Sequence, residues 1–130
     1  MHTRYADIPA YVTKDGSEIR ELMHPDPHGG RHQSLAEATV APGTITQLHR
    51  HRLTEEIYHI TAGTGLMTRG TECFAVAAGD TILIPPGIAH RIAATGDTPL
   101  RLLCCCSPAY RHDDTELIDL PAPGAAHESC

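Results

Sequence analysis

The chain has 130 residues, of which 41% are hydrophobic and 20% charged, and its 16 acidic against 10 basic side chains give a formal charge of −6. This length and composition are typical of a single globular domain. The acidic balance argues against nonspecific nucleic-acid binding, because such binding depends on basic side chains that replace the counterions of the phosphates. Apolar runs far shorter than the roughly 20 residues that span a bilayer argue against a membrane protein.

Short segments rich in β-branched and aliphatic residues, separated by glycine and proline, predict strands along the chain. The predicted strands cover residues 18–22, 35–40, 44–51, 56–61, 65–69, 72–76, 81–84, 90–93 and 100–106. Residues 113–120 are predicted to form a short helix or an edge segment. Many short strands at close, regular spacing are typical of an all-β sandwich or barrel.

The domain boundary and the cellular location follow from the two ends of the chain. Residues 1–9 contain no apolar stretch of the kind found in a signal peptide. Together with an odd number of cysteines, five, this predicts a cytoplasmic protein. We assign residues 1–120 to one domain and expect residues 121–130, rich in Ala, Pro and Gly, to be a disordered tail or a linker.

Three consecutive cysteines, Cys104, Cys105 and Cys106, end the last predicted strand. A thiolate metal site or a nucleophile is one interpretation, but the CxxC spacing with which structural zinc sites usually begin is missing. In a strand, Cys104 and Cys106 face one side and Cys105 the other, so the three cannot act together. We therefore interpret them as small hydrophobic residues of a mostly buried strand.

Histidines at positions 49, 51 and 90 are candidates for a metal site. His49 and His51 lie two residues apart in a predicted strand, so their imidazoles project from the same face. Glu56 follows a short turn, and His90 comes after a Pro-Pro-Gly turn at the start of a later strand. Three imidazoles and one carboxylate suit a divalent transition metal such as Mn, Fe, Co, Ni, Cu or Zn, and they leave positions open for water, substrate or dioxygen.

Two spaced patterns contain these residues. The first runs from Gly43 through HxH at residues 49–51 and Glu56 to Gly63, and the second is Gly-x5-PxG-xx-His over residues 79–90. Both resemble the two motifs of the cupin superfamily. The resemblance implies a small antiparallel β-barrel of jelly-roll type, with His49, His51, Glu56 and His90 as metal ligands inside the barrel mouth. It also assigns the carboxylate ligand to Glu56 rather than Glu55, because only Glu56 has the six-residue gap to Gly63.

One position departs from the cupin pattern. The asparagine that ends the second motif is replaced by Ala94. That asparagine is not a metal ligand in cupins, so the resemblance leaves the predicted site intact. The substitution bears on the backbone hydrogen bonds of the strand after His90.

Two further residues are candidates for catalysis. By strand alternation, Gln47 shares the face of His49 and Tyr58 shares the face of Glu56, so both are expected to line the pocket and orient a substrate. Tyr58 offers a hydrogen bond or a proton. The alternative is that Tyr58 belongs to the core, with its hydroxyl satisfied there.

The leading functional hypothesis is a metal-dependent enzyme that acts on a small organic molecule. The resemblance implies dioxygenase, isomerase or rearrangement chemistry, including zinc-dependent N–N bond formation in biosynthesis. The alternative is a non-catalytic module that binds a small molecule or a metal as a sensor. Because small cupins commonly pair and the apolar strands have edges that would otherwise be exposed, a homodimer is expected, with no nucleic-acid or membrane partner.

Overall fold

The computed structural model describes residues 1–118. Eleven strands and three short helical segments follow one another along this part of the chain. The strands are β1 Tyr11–Val12, β2 Glu18–Met23, β3 Ser34–Val40, β4 His49–His51, β5 Glu55–Ala62, β6 Thr64–Arg69, β7 Glu72–Ala77, β8 Thr81–Ile84, β9 His90–Ala94, β10 Leu100–Ser107 and β11 Thr115–Leu117. The helical segments are Tyr5–Asp7, α1 Pro25–His28 and His112–Asp114. The predicted tail at residues 121–130 lies outside the described residues.

The strands form two antiparallel sheets that together make a jelly roll, as predicted. One sheet has six strands in the order β1-β2-β3-β10-β5-β8, and the other has five in the order β11-β4-β9-β6-β7. Chain neighbours β4 and β5 lie in different sheets, so the turn after the HxH segment carries the chain across the barrel. No helix within residues 1–118 has the length and apolar character needed to cross a bilayer.

The apolar core lies between the sheets, because alternate residues of each strand face inward. The most deeply buried aliphatic side chains come from both sheets and are Ile60, Met67, Ile84, Ile92, Leu100 and Leu102. On β10, residues 100, 102, 104 and 106 are buried while 101, 103 and 105 are half-buried on the outer face. Cys104 and Cys106 thus point inward and Cys105 outward, as the alternation predicts.

Three of the motif glycines adopt the left-handed backbone that turns require. Gly43, Gly63 and Gly79 have φ values of 75°, 84° and 99°. At Gly63 there is also no room for a side chain, because a Cβ would lie 2.6 Å from the carbonyl oxygen of Pro99. The replacement of the motif asparagine by Ala94 leaves β9 intact, since the amide of Ala94 donates to Thr44 O and its carbonyl accepts from Gly43.

The predicted strand at 44–51 is wrong over its first five residues. Only His49–His51 forms a strand, and Ile45 makes an isolated bridge with Ala93. The backbone changes partners in between, because the Thr46 amide donates to Ile92 O whereas the Gln47 amide donates to Asp15 O. The chain therefore leaves β9 and contacts the turn between β1 and β2 just before the HxH segment.

Candidate metal centre and pocket

Two neighbouring strands bring three histidines together inside the barrel. His49 and His51 are buried on β4, with the exposed Arg50 between them, and β4 pairs with β9 where His49 lies opposite His90. One ring nitrogen from each histidine lies within 4.8 Å of the other two. His90 is fully buried, with none of its surface exposed. The predicted convergence of the three imidazoles is therefore present in the fold.

Each imidazole is oriented by a hydrogen bond at Nδ1. His49 Nδ1 lies 2.7 Å from Gln47 O and His90 Nδ1 lies 2.9 Å from Ile88 O. A carbonyl oxygen only accepts, so both rings carry the proton on Nδ1. His51 Nδ1 lies 2.9 Å from the hydroxyl of Thr115, which donates to Arg111 O and so accepts from the ring. In all three rings Nε2 is left as a lone pair, which is the form that binds a metal.

The carboxylate of Glu56 reaches this group from the other sheet. Glu56 Oε1 lies 3.2 Å from His51 Nε2 and 3.4 Å from His90 Nε2, and the side chain is buried. Its neighbour Glu55 is exposed on the opposite face of β5. Within the described residues, the structure thus places Glu56, and not Glu55, beside the histidines.

The arrangement of the candidate ligand atoms suits a shared divalent cation better than hydrogen bonds between them. Both Glu56 Oε1 and His90 Nε2 are buried without a hydrogen-bond partner, although they lie 3.4 Å apart. Ligands at about 2.1 Å from one ion lie roughly 3 to 3.5 Å from each other at octahedral or tetrahedral angles. Buried polar atoms that are left unpaired cost free energy, so a shared cation is the partner that this arrangement lacks.

Burial and neighbouring groups shift the pKa values of His49 and Glu56. Burial, and then the neighbouring His90, lowers the pKa of His49 to about 4, so this imidazole is neutral at pH 7. Burial by itself would raise the pKa of Glu56, but a proton on the facing Nε2 atoms of His51 and His90 outweighs burial and holds that pKa below its usual range. Neutral imidazoles and an ionised carboxylate are the forms that coordinate divalent transition metals.

A pocket opens from this group toward β1, β2 and the segment before β11. It encloses about 590 Å³ of empty space including its open mouth. Its apolar wall comes largely from β2, β3 and β10, and its polar lining includes Asp15, Glu21, Tyr58 and Cys106. The combination of an apolar wall and a few polar groups at one end is typical of small-molecule sites.

Of the two residues proposed for catalysis, the structure places one in the pocket. Tyr58 is buried, lines the pocket and packs edge-on against His90 with the ring centroids 5.8 Å apart. The placement expected for Gln47 is wrong, because its side chain is exposed and does not line the pocket. Residues 46–48 are not in a strand, so strand alternation does not apply there, and Gln47 contributes only its backbone carbonyl to His49.

Asp15 is a pocket residue that the sequence did not reveal. Its Oδ2 lies 3.7 Å from His49 Nε2, and its side chain is only 11% exposed. Its Oδ1 accepts from the amide of Ser17 at 2.9 Å and from the hydroxyl of Ser17 at 2.7 Å, which fixes the carboxylate. The only sequence signal was the Asp15-Gly16 turn, and a turn does not tell which way its side chain points.

Cys106 was also missed as a site residue. Its thiol donates a hydrogen bond to Glu56 Oε2 at 3.3 Å, on the oxygen that does not face the histidines. The two residues are direct partners in the pairing of β10 with β5. Burial, and then the nearby Glu56, raises the pKa of the Cys106 thiol, which therefore keeps its proton and acts as a donor.

Comparisons with known proteins identify a family and a related sequence. The pattern of the family described as cupin domain matches residues 36–106. The uncharacterized protein MJ1618 of Methanocaldococcus jannaschii is 53% identical over 119 residues, which cover 92% of this chain and 95% of that protein.

Two solved structures share the fold. The polyketide cyclase RemF of Streptomyces resistomycificus matches with a TM-score of 0.78 at 20% identity over 94% of this chain and 87% of its own. A predicted oxalate decarboxylase of Thermotoga maritima matches with a TM-score of 0.73 at 24% identity over 83% of this chain and 99% of its own. At these identities the two structures show a common fold.

Proposed function

The chain belongs to the cupin domain family, and from that premise we propose that it is a metal-dependent enzyme acting on a small organic molecule. The metal is a divalent transition ion (Zn, Fe, Mn, Ni, Co or Cu), held by His49, His51, His90 and Glu56. The observation that carries the proposal is the pair of buried, unpartnered atoms Glu56 Oε1 and His90 Nε2 among three imidazole lone pairs. The reaction belongs to the dioxygenase, isomerase or rearrangement classes, which include N–N bond formation.

The bound metal would act as a Lewis acid or activate water or dioxygen, as such ions do in sites that the protein does not fully enclose. The surrounding residues hold the substrate beside it. The apolar wall formed by β2, β3 and β10 excludes water from one side of the pocket. Neighbouring carboxylates limit which substrates can enter.

Tyr58 is the residue of this pocket that we assign to substrate orientation or proton donation. Burial, and then Glu56, raises the pKa of its phenol well above the usual range. The hydroxyl therefore stays protonated at neutral pH and serves as a hydrogen-bond donor rather than as a base.

Metal content tests the proposal. The protein is purified without a metal-binding tag and analysed by elemental mass spectrometry, alongside Glu56→Ala and an exposed control, Glu55→Ala. Wild type and Glu55→Ala are expected to contain close to one divalent ion per chain, and Glu56→Ala markedly less, because it lacks one of four ligands.

The identity of the metal directs the next assay. Iron or copper leads to measurements of oxygen uptake, and zinc, nickel or manganese leads to assays for isomerisation or rearrangement. A protein that contains no metal and takes up none on reconstitution would contradict the enzyme proposal and favour the non-catalytic binding module.

The proposal includes a homodimer. Four apolar side chains, one from each of four adjacent strands, form a row on the outer face of the six-stranded sheet, and we call it the outer stripe: Leu35, Cys105, Ile57 and Leu83. Three of them are exposed large hydrophobic residues, Leu35, Ile57 and Leu83. A second copy of the chain packed on this row would remove it from water.

A further inference from the structure

The polar groups in the pocket are mostly negative or uncharged. Carboxylates come from three strands or turns: Asp15 from the turn between β1 and β2, Glu21 from β2 and Glu56 from β5. Asp15 is fixed by Ser17, and Glu56 is nearly fully buried with Oε1 unpartnered. Glu21 receives a long hydrogen bond from the hydroxyl of Tyr11 at 3.4 Å on Oε1, while Oε2 is buried and unpartnered.

No lysine or arginine lines this pocket in the part of the chain that the structure describes. The nearest candidate in sequence, Lys14, turns its ammonium group away and donates to the carbonyls of His112 and Thr115 at 3.0 and 2.8 Å. Arg111 lies in a neighbouring depression and pairs with Asp26 at 3.3 Å. Protein cations that would hold the carboxylate or phosphate of a substrate are therefore missing from the pocket wall.

A metal ion would not reverse this balance. The three histidines bind as neutral ligands, so the charge of a divalent ion is offset by Glu56 on one side and by Asp15 beside His49 on the other. Glu21 lines the same pocket and adds a further carboxylate. An anionic substrate would share this pocket with the carboxylates of Asp15 and Glu21. Like charges at short range repel strongly where water is partly excluded.

We infer that the substrate of this pocket is a cationic or uncharged molecule that presents hydrogen-bond donors, such as an amine or amidine, to Asp15 and Glu21, and that the pocket rejects carboxylates. Asp15 and Glu21 are then the specificity-determining residues. This inference rests on the proposed function, because it names the substrate class of the same site. An apolar body is accommodated by the wall residues Ile19, Ile92 and Leu102, which are buried in the barrel.

Two probes of the same shape and opposite charge test the inference. Benzamidinium and benzoate share a phenyl ring and a planar three-atom head, but the first is a cation with N–H donors and the second an anion with acceptors only. Their affinities are measured by isothermal titration calorimetry on metal-loaded protein whose metal content has been determined. Wild type is expected to bind benzamidinium at least about tenfold more tightly than benzoate.

Variants that lack the charges of Asp15 and Glu21 test whether these two residues cause the preference for benzamidinium over benzoate. In the double variant Asp15→Asn/Glu21→Gln the ratio of the two affinities is expected to fall below about threefold, since both carboxylates are lost while the shape is kept. Glu18→Gln, on β2 but outside the pocket, is the matched control and is expected to keep the wild-type ratio. Metal content of the double variant is measured in parallel, so that a change in loading is not mistaken for a change in selectivity.

Several outcomes would overturn the inference. Benzoate binding as tightly as benzamidinium, no benzamidinium binding up to millimolar concentration, or a ratio that survives in the double variant each count against Asp15 and Glu21 as selectors. Failure of the proposed function is recognised separately, as absence of bound metal. The same titrations on metal-free protein then still report whether the pocket prefers the cation.

Discussion

At the scale of single residues, the second oxygen of Glu56 has a defined partner. Cys106 donates to Oε2, which leaves Oε1 directed at His51 and His90. Such outer contacts fix the orientation of a ligand, and their loss typically costs about 10–100-fold in metal affinity. A side chain that looks like a small hydrophobic residue in the sequence is thus a positioning residue for the carboxylate.

Replacement of this thiol tests its role. Cys106→Ala removes the donor and is expected to weaken metal binding about tenfold in competition with a chromophoric chelator. Cys106→Ser restores a donor and should recover most of the affinity. Cys105→Ala is the control, because the side chain of Cys105 points away from the pocket. Equal affinity in Cys106→Ala and wild type would show that the contact does not position Glu56.

At the scale of the elements, the turns determine where the site residues lie. Gly63 joins β5 to β6 and therefore fixes how the strand that bears Glu56 leaves its sheet. Its φ of 84° is unfavourable for any residue with a Cβ, and the added atom would lie 2.6 Å from Pro99 O.

An alanine at this turn is expected to be costly. Gly63→Ala should lower the free energy of unfolding by about 2–4 kcal/mol, measured by urea denaturation, because left-handed backbone and a backbone clash act together. Gly30→Ala is the control, since nothing lies within 4 Å of a Cβ there. A loss at Gly63 no larger than that at Gly30 would be the contrary result.

Most strands could be predicted from the sequence, because turn residues and aliphatic runs are local signals. The segment 44–48 could not, since its backbone partners come from β9 and from the turn at Asp15. The three histidines and Glu56 were found from motif spacing. In the fold, the pairing of β4 with β9 and the turn between β4 and β5 bring these residues together. Asp15 and Cys106 were not, because their contacts with His49 and Glu56 join distant parts of the chain and leave no spacing pattern.

At the scale of the whole molecule, the outer stripe is a row of neighbouring apolar side chains that the described chain leaves in contact with water. Light scattering after size-exclusion chromatography is expected to give the mass of a dimer. Leu83→Lys should produce monomers, because a charge placed in the row would be buried at the interface. Leu53→Lys, which changes an exposed leucine outside the row, should remain dimeric. A monomeric wild type would contradict the homodimer.

The four proposed ligands are divided between the two sheets, with three on β4 and β9 and one on β5. An ion held by all of them would link the two sheets, and separation of the sheets would require its release. Since a ligand that binds only the folded state stabilises it in proportion to the logarithm of its free concentration, the heat resistance of this protein would follow the supply of metal around it. The same four side chains would then serve the proposed reaction and also make the stability of the fold depend on the concentration of available metal.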